Sequence, residues 1–113
     1  MHRRDRFELA RTAYAAFAAG ERSVMEDLLA PDYEFHSPPD PRLDREGYFE
    51  RCWPQAGNET RFDFVRLIED DDEVVVTYEA TRTDGTRFRN TEVLSFDGEK
   101  IAETEVYFGW NLD

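Results

Sequence analysis

The sequence predicts an α+β fold in which three N-terminal helices pack on a curved, mainly antiparallel sheet. Helical periodicity is confined to the first half of the chain, and the alternation typical of β-strands fills the second half. Because helices and strands are segregated along the chain, the helices must cover one face of the sheet. The 113 residues, 40% of them hydrophobic, suit a single domain with one core, spanning residues 1–113.

Three apolar stripes predict the helices. The first stripe begins at residue 7 and is stopped by Gly20. The second covers residues 24–29 and is ended by Pro31, because the residue before a proline avoids the helical region. The third is capped by Asp44 and ends before Pro54.

The strands are predicted from alternation and from the turns between them. Residues 33–37 form a short first strand, and the chain after residue 60 forms a meander. The acidic run 70–72 and the pairs Asp84-Gly85 and Asp97-Gly98 are hairpin turns. The four strands of the meander are residues 61–69, 73–82, 86–96 and 100–110.

Composition excludes several function classes. The net charge of -12 disfavours nucleic acid and anionic membranes as partners. No apolar run approaches the roughly 20 residues that span a bilayer, and the N-terminus lacks the apolar run of a secretory signal. We therefore predict a cytoplasmic protein.

The sequence predicts neither a metal site nor a cofactor. Cys52 is the only cysteine and is expected to be a small buried hydrophobe, so no disulfide or thiolate cluster can form. His36 is the only histidine of the folded body, and the acids around it show no metal-ligand spacing. The acidic run 70–73 is typical of a solvated turn, with calcium chelation as the alternative. Glycine-rich phosphate motifs are absent.

Two segments resemble a known family. YAAFAAGERSVMEDLLAPDYEFHSPP resembles the helix, turn, helix and first strand of the SnoaL-like and ketosteroid-isomerase-like branch of the nuclear-transport-factor-2-like superfamily. NTEVLSFDGEKIAETEVYFGW resembles the last hairpin of that superfamily. The resemblance implies a cystatin-like cone with one internal pocket. It leaves the activity open among isomerases, polyketide cyclases, epoxide hydrolases, dehydratases and non-catalytic association domains.

The functional positions of the family carry over only in part. The resemblance places the ketosteroid-isomerase base at Ser37 and the catalytic aspartate of the cyclases and epoxide hydrolases at Val106, so both acids are missing. The oxyanion-hole acid corresponds to Glu92, a chemically similar residue. The oxyanion-hole tyrosine falls one residue before Tyr14.

Strand alternation predicts which side chains face the pocket. Glu92 is expected to point into the apolar concavity, where desolvation would raise its pKa and suit it to acid-base work. The alternative is that Glu92 lies at the rim or pairs with an arginine such as Arg89. Alternation directs His36 outward, but a bulge or the Pro38-Pro39 loop would turn it inward to pair with Glu92.

These observations support two hypotheses. In the first, the protein binds or converts a small hydrophobic or aromatic molecule without a cofactor, with Glu92, His36 and Tyr14 as catalytic candidates. In the second, it is a non-catalytic association domain that forms a homodimer through the outer sheet face around Glu103, Glu105 and Tyr107. The predicted substrate-binding residues are Phe17, Tyr33, Phe35, Ser37, Trp53, Tyr78, Leu94, Val106, Phe108 and Trp110.

Overall fold

The computed structural model describes residues 5–57 and 59–112. The prediction that the chain has no secretory signal depends on the first few residues, and residues 1–4 lie outside this range. The helical elements are α1 (Arg6–Ala19), α2 (Arg22–Leu28), α3 (Arg45–Arg51) and a single 3₁₀ turn, η1 (Trp53–Gln55). The strands are β1 (Leu29–His36), β2 (Leu43–Asp44), β3 (Glu59–Asp70), β4 (Glu73–Arg82), β5 (Arg87–Asp97) and β6 (Lys100–Leu112).

The helix boundaries follow local chemistry. The Asp5 carboxylate accepts the Phe7 N–H at 2.9 Å and caps α1, while Gly20 ends it in the left-handed conformation at φ 70°. The Asp44 carboxylate accepts the Gly47 N–H at 2.7 Å and caps α3. The predicted stop at Gly20 and the predicted cap at Asp44 are both confirmed.

One six-stranded sheet has the order β2-β1-β6-β5-β4-β3. All neighbouring strands are antiparallel except β1 and β6, which are parallel. The three helices cover one face of this curved sheet, as the sequence predicted. The parallel pairing places the first strand beside the last, so that residues far apart in sequence share one part of the sheet.

Two details of the sheet differ from the sequence prediction. β1 begins at Leu29 rather than Tyr33 and runs through Pro31. The proline is tolerated because the register with β6 shifts between Leu29 and Glu34, where the ladder is irregular. The two-residue strand β2 was not predicted, because so short a segment has no alternation to recognise.

The core lies between α1, α2 and the inner face of the sheet. Among its least exposed large side chains are Leu9, Leu28, Val74, Val76 and Ile101. Each large aliphatic side chain buried there contributes on the order of 1.5–3 kcal/mol relative to exposure. Among the described residues, the helices are all too short or too polar to cross a bilayer.

Candidate functional site

An internal cavity of about 270 Å³ lies between the helices and the inner face of the sheet. Its walls are mainly apolar and aromatic, and polar side chains occur at a few points only. The side chains in the wall include Ala13, Tyr14, Phe17, Met25, Leu29, Tyr33, Phe35, Tyr48, Cys52, Phe62, Tyr78, Phe88, Asn90, Glu92, Leu94, Ile101, Thr104, Val106 and Phe108. A concave, aromatic space with few polar groups is typical of a small-molecule site.

Glu92 is the carboxylate inside this cavity. It lies on β5 opposite Val76 of β4 and Val106 of β6, so the pleat directs its side chain inward. The Tyr14 hydroxyl donates to its Oε1 at 2.9 Å, and the Tyr78 hydroxyl donates to its Oε2 at 2.6 Å. Both carboxylate oxygens are therefore held by phenol groups, one from a helix and one from the sheet.

The position of Tyr14 follows from the periodicity of α1. The buried face of that helix carries Ala10, Ala13 and Tyr14 toward the sheet. The Tyr14 ring packs at 5.2 Å from the ring of Phe62 and at 5.3 Å from that of Tyr78. Burial, followed by the charge of Glu92, raises the pKa of Tyr14 well above its ordinary value. Tyr14 therefore remains a hydrogen-bond donor across the neutral pH range.

Two further tyrosines extend the polar interior. The Tyr33 hydroxyl donates to Thr104 Oγ1 at 2.8 Å. Tyr48 on α3 is also buried, and no described residue forms a hydrogen bond with its hydroxyl. Burial is the largest cause of a raised pKa for both phenols. The Tyr48 hydroxyl is thus a protonated donor that a ligand in the cavity can use.

The mouth of the cavity is charged. Asp40 forms an ion pair with Arg51, with Oδ1 and Nε 2.7 Å apart, and Ser37 lies beside them in the lining. Arg82 also lines the mouth, its guanidinium 4.3 Å from the centroid of the Phe88 ring. The cavity therefore carries charged side chains at its exposed end, in addition to the hydrogen bonds of Glu92 and Tyr33 in its interior.

Cys52 lies on the cavity side of α3. It is partly buried, and desolvation together with the nearby Asp40 carboxylate raises its pKa to about 11. At neutral pH the thiol is therefore protonated and a poor nucleophile. The expectation of a small buried hydrophobe agrees with this environment.

His36 does not reach the cavity. Its Nδ1 lies 2.6 Å from the Pro41 carbonyl oxygen, and its Nε2 lies 2.8 Å from Glu103 Oε2 on the outer face of the sheet. The hydrogen bond to Pro41 raises the pKa of His36, and Glu103 adds to the effect. The pairing of His36 with Glu92 is not formed, because β1 pairs with β6 in continuous register from Glu34 to His36 and His36 keeps its outward direction.

Trp110 also lies away from the cavity, and its predicted inward direction is wrong. The register between β5 and β6 shifts at Asn90, where Phe108 pairs with Asn90 but Trp110 pairs with Arg89. The extra residue, Gly109, moves Trp110 to the outer face, where Arg89 stacks 5.1 Å above its ring.

Trp53 is likewise absent from the cavity lining. It lies in the 3₁₀ turn after α3 and packs its ring edge-on against Phe17 at 5.5 Å. The inward direction was predicted from the helical spacing of α3, which ends before Trp53. Trp53 therefore contacts Phe17, a residue of the cavity lining, without lining the cavity itself.

The structure brings most predicted site residues together around Glu92. The predicted residues that line the cavity are Tyr14, Phe17, Tyr33, Phe35, Ser37, Tyr78, Leu94, Val106 and Phe108. Sequence reasoning missed the Asp40–Arg51 pair and Asn90. Arg51 and Cys52 follow Tyr48 at helical spacing, which was the available signal for Arg51. Asp40 and Asn90 gave no such signal.

Three helices packed on one face of a curved, mostly antiparallel sheet define a class of small α+β cone folds. The family model of the SnoaL-like domain matches residues 10–104, and the chain belongs to that family. Its structural neighbours include nuclear-transport-factor-2-like and ketosteroid-isomerase-like proteins. None of the curated proteins matches the chain significantly.

Three solved structures illustrate the likeness. A nuclear-transport-factor-2-like protein of unknown function from Burkholderia xenovorans is 17% identical, with a TM-score of 0.80 over 96% of this chain and 85% of that one. A proposed ketosteroid isomerase from Kribbella flavida is 18% identical, with a TM-score of 0.76 over 94% and 78%. A proposed polyketide cyclase from Sinorhizobium meliloti is 16% identical, with a TM-score of 0.73 over 88% and 93%. At these identities the likeness shows the fold alone.

Proposed function

We propose that the protein binds a small, largely apolar molecule in the cavity and moves a proton on it through Glu92, without a cofactor. The observation that carries the proposal is the Glu92 carboxylate inside an aromatic cavity, held by Tyr14 and Tyr78. The cavity of about 270 Å³ lies just below the roughly 300–1,000 Å³ usual for drug-sized ligands. A compact ligand, such as a single-ring molecule, therefore suits it best.

The chemistry that these groups support is isomerisation of a carbonyl compound. Glu92 takes a proton from the carbon beside the carbonyl, and the electron pair of the broken C–H bond moves toward the carbonyl oxygen. The same carboxyl group then returns the proton to another carbon as the electron pair moves back from the oxygen. The product has the same atoms as the substrate, and the Glu92 carboxylate is regenerated. The Tyr48 hydroxyl, a protonated donor in the same cavity, is the candidate to stabilise the charge on that oxygen.

The family positions support Glu92 as the acid-base group. Ser37 and Val106, at which the resemblance places catalytic aspartates, both line the cavity but neither can exchange a proton near neutral pH. Among the described lining residues the other carboxylate is Asp40, which pairs with Arg51 at the mouth. The proton-transfer role therefore falls to a different position of the same cavity.

A ligand screen tests the binding half of the proposal. We expect a thermal-shift screen with small cyclic ketones, phenols, terpenoids and epoxides to find compounds that stabilise the wild type. Saturation at about 100 times the Kd corresponds to about 2.7 kcal/mol of stabilisation. Glu92→Gln should weaken the shift, and Glu50→Gln, a matched change of an exposed acid outside the cavity lining, should preserve it. Equal shifts in all three proteins would contradict a functional Glu92.

A homodimer through the outer sheet face is a second proposal, favoured by a separate observation. Tyr107 and Trp110 are 54% and 60% exposed, although aromatic side chains usually bury most of their surface. Val75 of β4 pairs with Val93 of β5, which pairs with Glu105 of β6, so these side chains continue the same outer face. Such a patch on a sheet suits contact with a second copy of the chain.

Sedimentation analysis tests the dimer. We expect the wild type to sediment as a dimer at high micromolar concentration, and Trp110→Asp to shift it toward monomer by placing a charge in the interface. Ala15→Asp, on the exposed side of α1 and therefore on the opposite side of the molecule from the outer sheet face, is a control for the effect of added charge. A wild type that remains monomeric at high micromolar concentration would contradict the proposal.

A further inference from the structure

Three potential metal ligands meet on the outer face of the sheet, away from the cavity. Glu34 and His36 lie two residues apart on β1, and Glu103 lies on β6 directly beside Glu34 in the parallel register. Their ligand atoms all lie within 4.8 Å of one another. Sequence spacing could not reveal this group, because His36 and Glu103 are separated by 67 residues.

The imidazole is oriented as it is in metal-binding histidines. The Pro41 carbonyl oxygen lies 2.6 Å from His36 Nδ1, so Nδ1 carries the proton and donates it. Nε2 faces Glu103 Oε2 at 2.8 Å and Glu34 Oε1 at 3.6 Å, so it also carries a proton when no ion is bound. An ion bound between these groups displaces that proton and takes the Nε2 lone pair. A backbone carbonyl that fixes the other ring nitrogen is the usual outer partner of a histidine bound to a metal.

The distances are close to those of a tetrahedral site. Zinc bonds of about 2.0–2.2 Å to nitrogen and oxygen, at tetrahedral angles, separate neighbouring ligand atoms by roughly 3.3–3.5 Å. The separations of 2.8 Å and 3.6 Å from His36 Nε2 bracket that range, so small rotations of the two glutamates would suffice. Each glutamate side chain is 40% exposed, which leaves it room for such rotations.

We propose that Glu34, His36 and Glu103 bind a divalent transition-metal ion of the zinc type, with solvent in the remaining position. One imidazole and two carboxylates suit zinc or cobalt better than magnesium or calcium, which prefer oxygen ligands alone and more of them. The two carboxylates neutralise the charge of the ion. Arg42 Nη2, 3.4 Å from Glu34 Oε2, belongs to a side chain that is 77% exposed and can move aside.

The bound ion would tie β1 to β6 behind the cavity. Phe35 lies between Glu34 and His36 and pairs with Thr104, the residue after Glu103, and both Phe35 and Thr104 line the cavity. Binding that favours the folded chain raises its stability in proportion to the logarithm of metal concentration. The site therefore acts as a clamp on the parallel strand pair, independent of what the cavity holds.

Metal titration tests the proposal without any assay of activity. The full chain, free of any histidine tag and stripped with a chelator, is titrated calorimetrically with zinc chloride and optically with cobalt chloride. We expect one equivalent of zinc to bind, a rise in melting temperature, and the visible absorption of four-coordinate cobalt. His36→Gln should weaken zinc binding by more than about 100-fold, since loss of an outer partner alone costs about 10–100-fold.

Two further variants make the test decisive. Glu103→Gln should weaken zinc binding by about tenfold or more, and it serves as the test if His36→Gln fails to fold. Glu50→Gln, an exposed acid on α3, should bind zinc within about twofold of the wild type. Absence of zinc binding by the wild type would overturn the site, as would equal affinity in the wild type and a folded His36→Gln or Glu103→Gln variant.

Discussion

At the scale of single residues, the arrangement that matters most is the hydrogen-bonded group of Glu92, Tyr14 and Tyr78. The direction of Glu92 could be predicted from the sequence because β5 alternates without interruption around it. Its partners could not be predicted, because Tyr14 and Glu92 are 78 residues apart and meet only when α1 packs on the sheet. Strand alternation alone predicts that the Glu92 carboxylate points inward, whereas its hydrogen bonds with Tyr14 and Tyr78 can be identified only in the tertiary structure.

Removing either phenol hydroxyl should destabilise the fold. Tyr14→Phe and Tyr78→Phe each delete one hydrogen bond to a charged group, and we expect each to cost about 1.5–3 kcal/mol of unfolding free energy. Urea denaturation measures the loss, and the double variant reports the coupling between the two bonds. Tyr107→Phe, an exposed tyrosine on β6, is the matched control. Losses no larger than that of the control would show that the two bonds contribute little.

Cys52 offers a chemical probe of the cavity wall. With a pKa of about 11 against an ordinary 9.0, its thiol is about 100 times less ionised at about pH 8 than a free thiol. We therefore expect iodoacetamide to modify the native protein at least about 100 times more slowly than the urea-unfolded chain, measured by intact mass. Native alkylation at the unfolded rate would contradict the partly buried, desolvated placement of Cys52.

At the scale of secondary structure, the bulge in β6 shows where strand alternation stops predicting the direction of a side chain. Alternation correctly directed Val106 and Phe108 inward, and it failed for Trp110 because Gly109 adds one residue to the strand. The Asn90 side chain accepts the Gly109 N–H at 3.1 Å and holds the bulge. An isolated glycine in a strand indicates a bulge. The sequence does not show whether the side chains before or after the glycine depart from the predicted alternation.

Gly109 should tolerate no side chain. A Cβ atom at this position would lie 2.2 Å from the Arg89 carbonyl oxygen, so Gly109→Ala forces the two backbones apart. We expect a loss of at least about 2 kcal/mol in unfolding free energy, measured by thermal or urea denaturation. Asn111→Ala, on the same strand, should lose about 0.5 kcal/mol or less. A Gly109→Ala variant as stable as the wild type would contradict the close approach of β5 and β6.

At the scale of the whole molecule, the fold could be predicted because every level of the sequence agrees on it. Helix caps, apolar stripes and hairpin turns all indicate helices first and a meander afterwards. The parallel pairing of β1 with β6 has no local signature, since it closes a connection of more than half the chain. Features that depend on that pairing, such as the contact of His36 with Glu103, could not be derived from the sequence.

Solvent deuterium exchange tests most directly whether Glu92 moves a proton in the cavity. A stabilising carbonyl ligand is incubated with the protein in D₂O, and NMR follows exchange at the carbon beside the carbonyl. If Glu92 is the base, the wild type and Glu50→Gln exchange at equal rates, and Glu92→Gln exchanges at least about 100-fold more slowly. Exchange by Glu92→Gln at the wild-type rate, in a variant that still binds the ligand, would contradict the proposed role of Glu92.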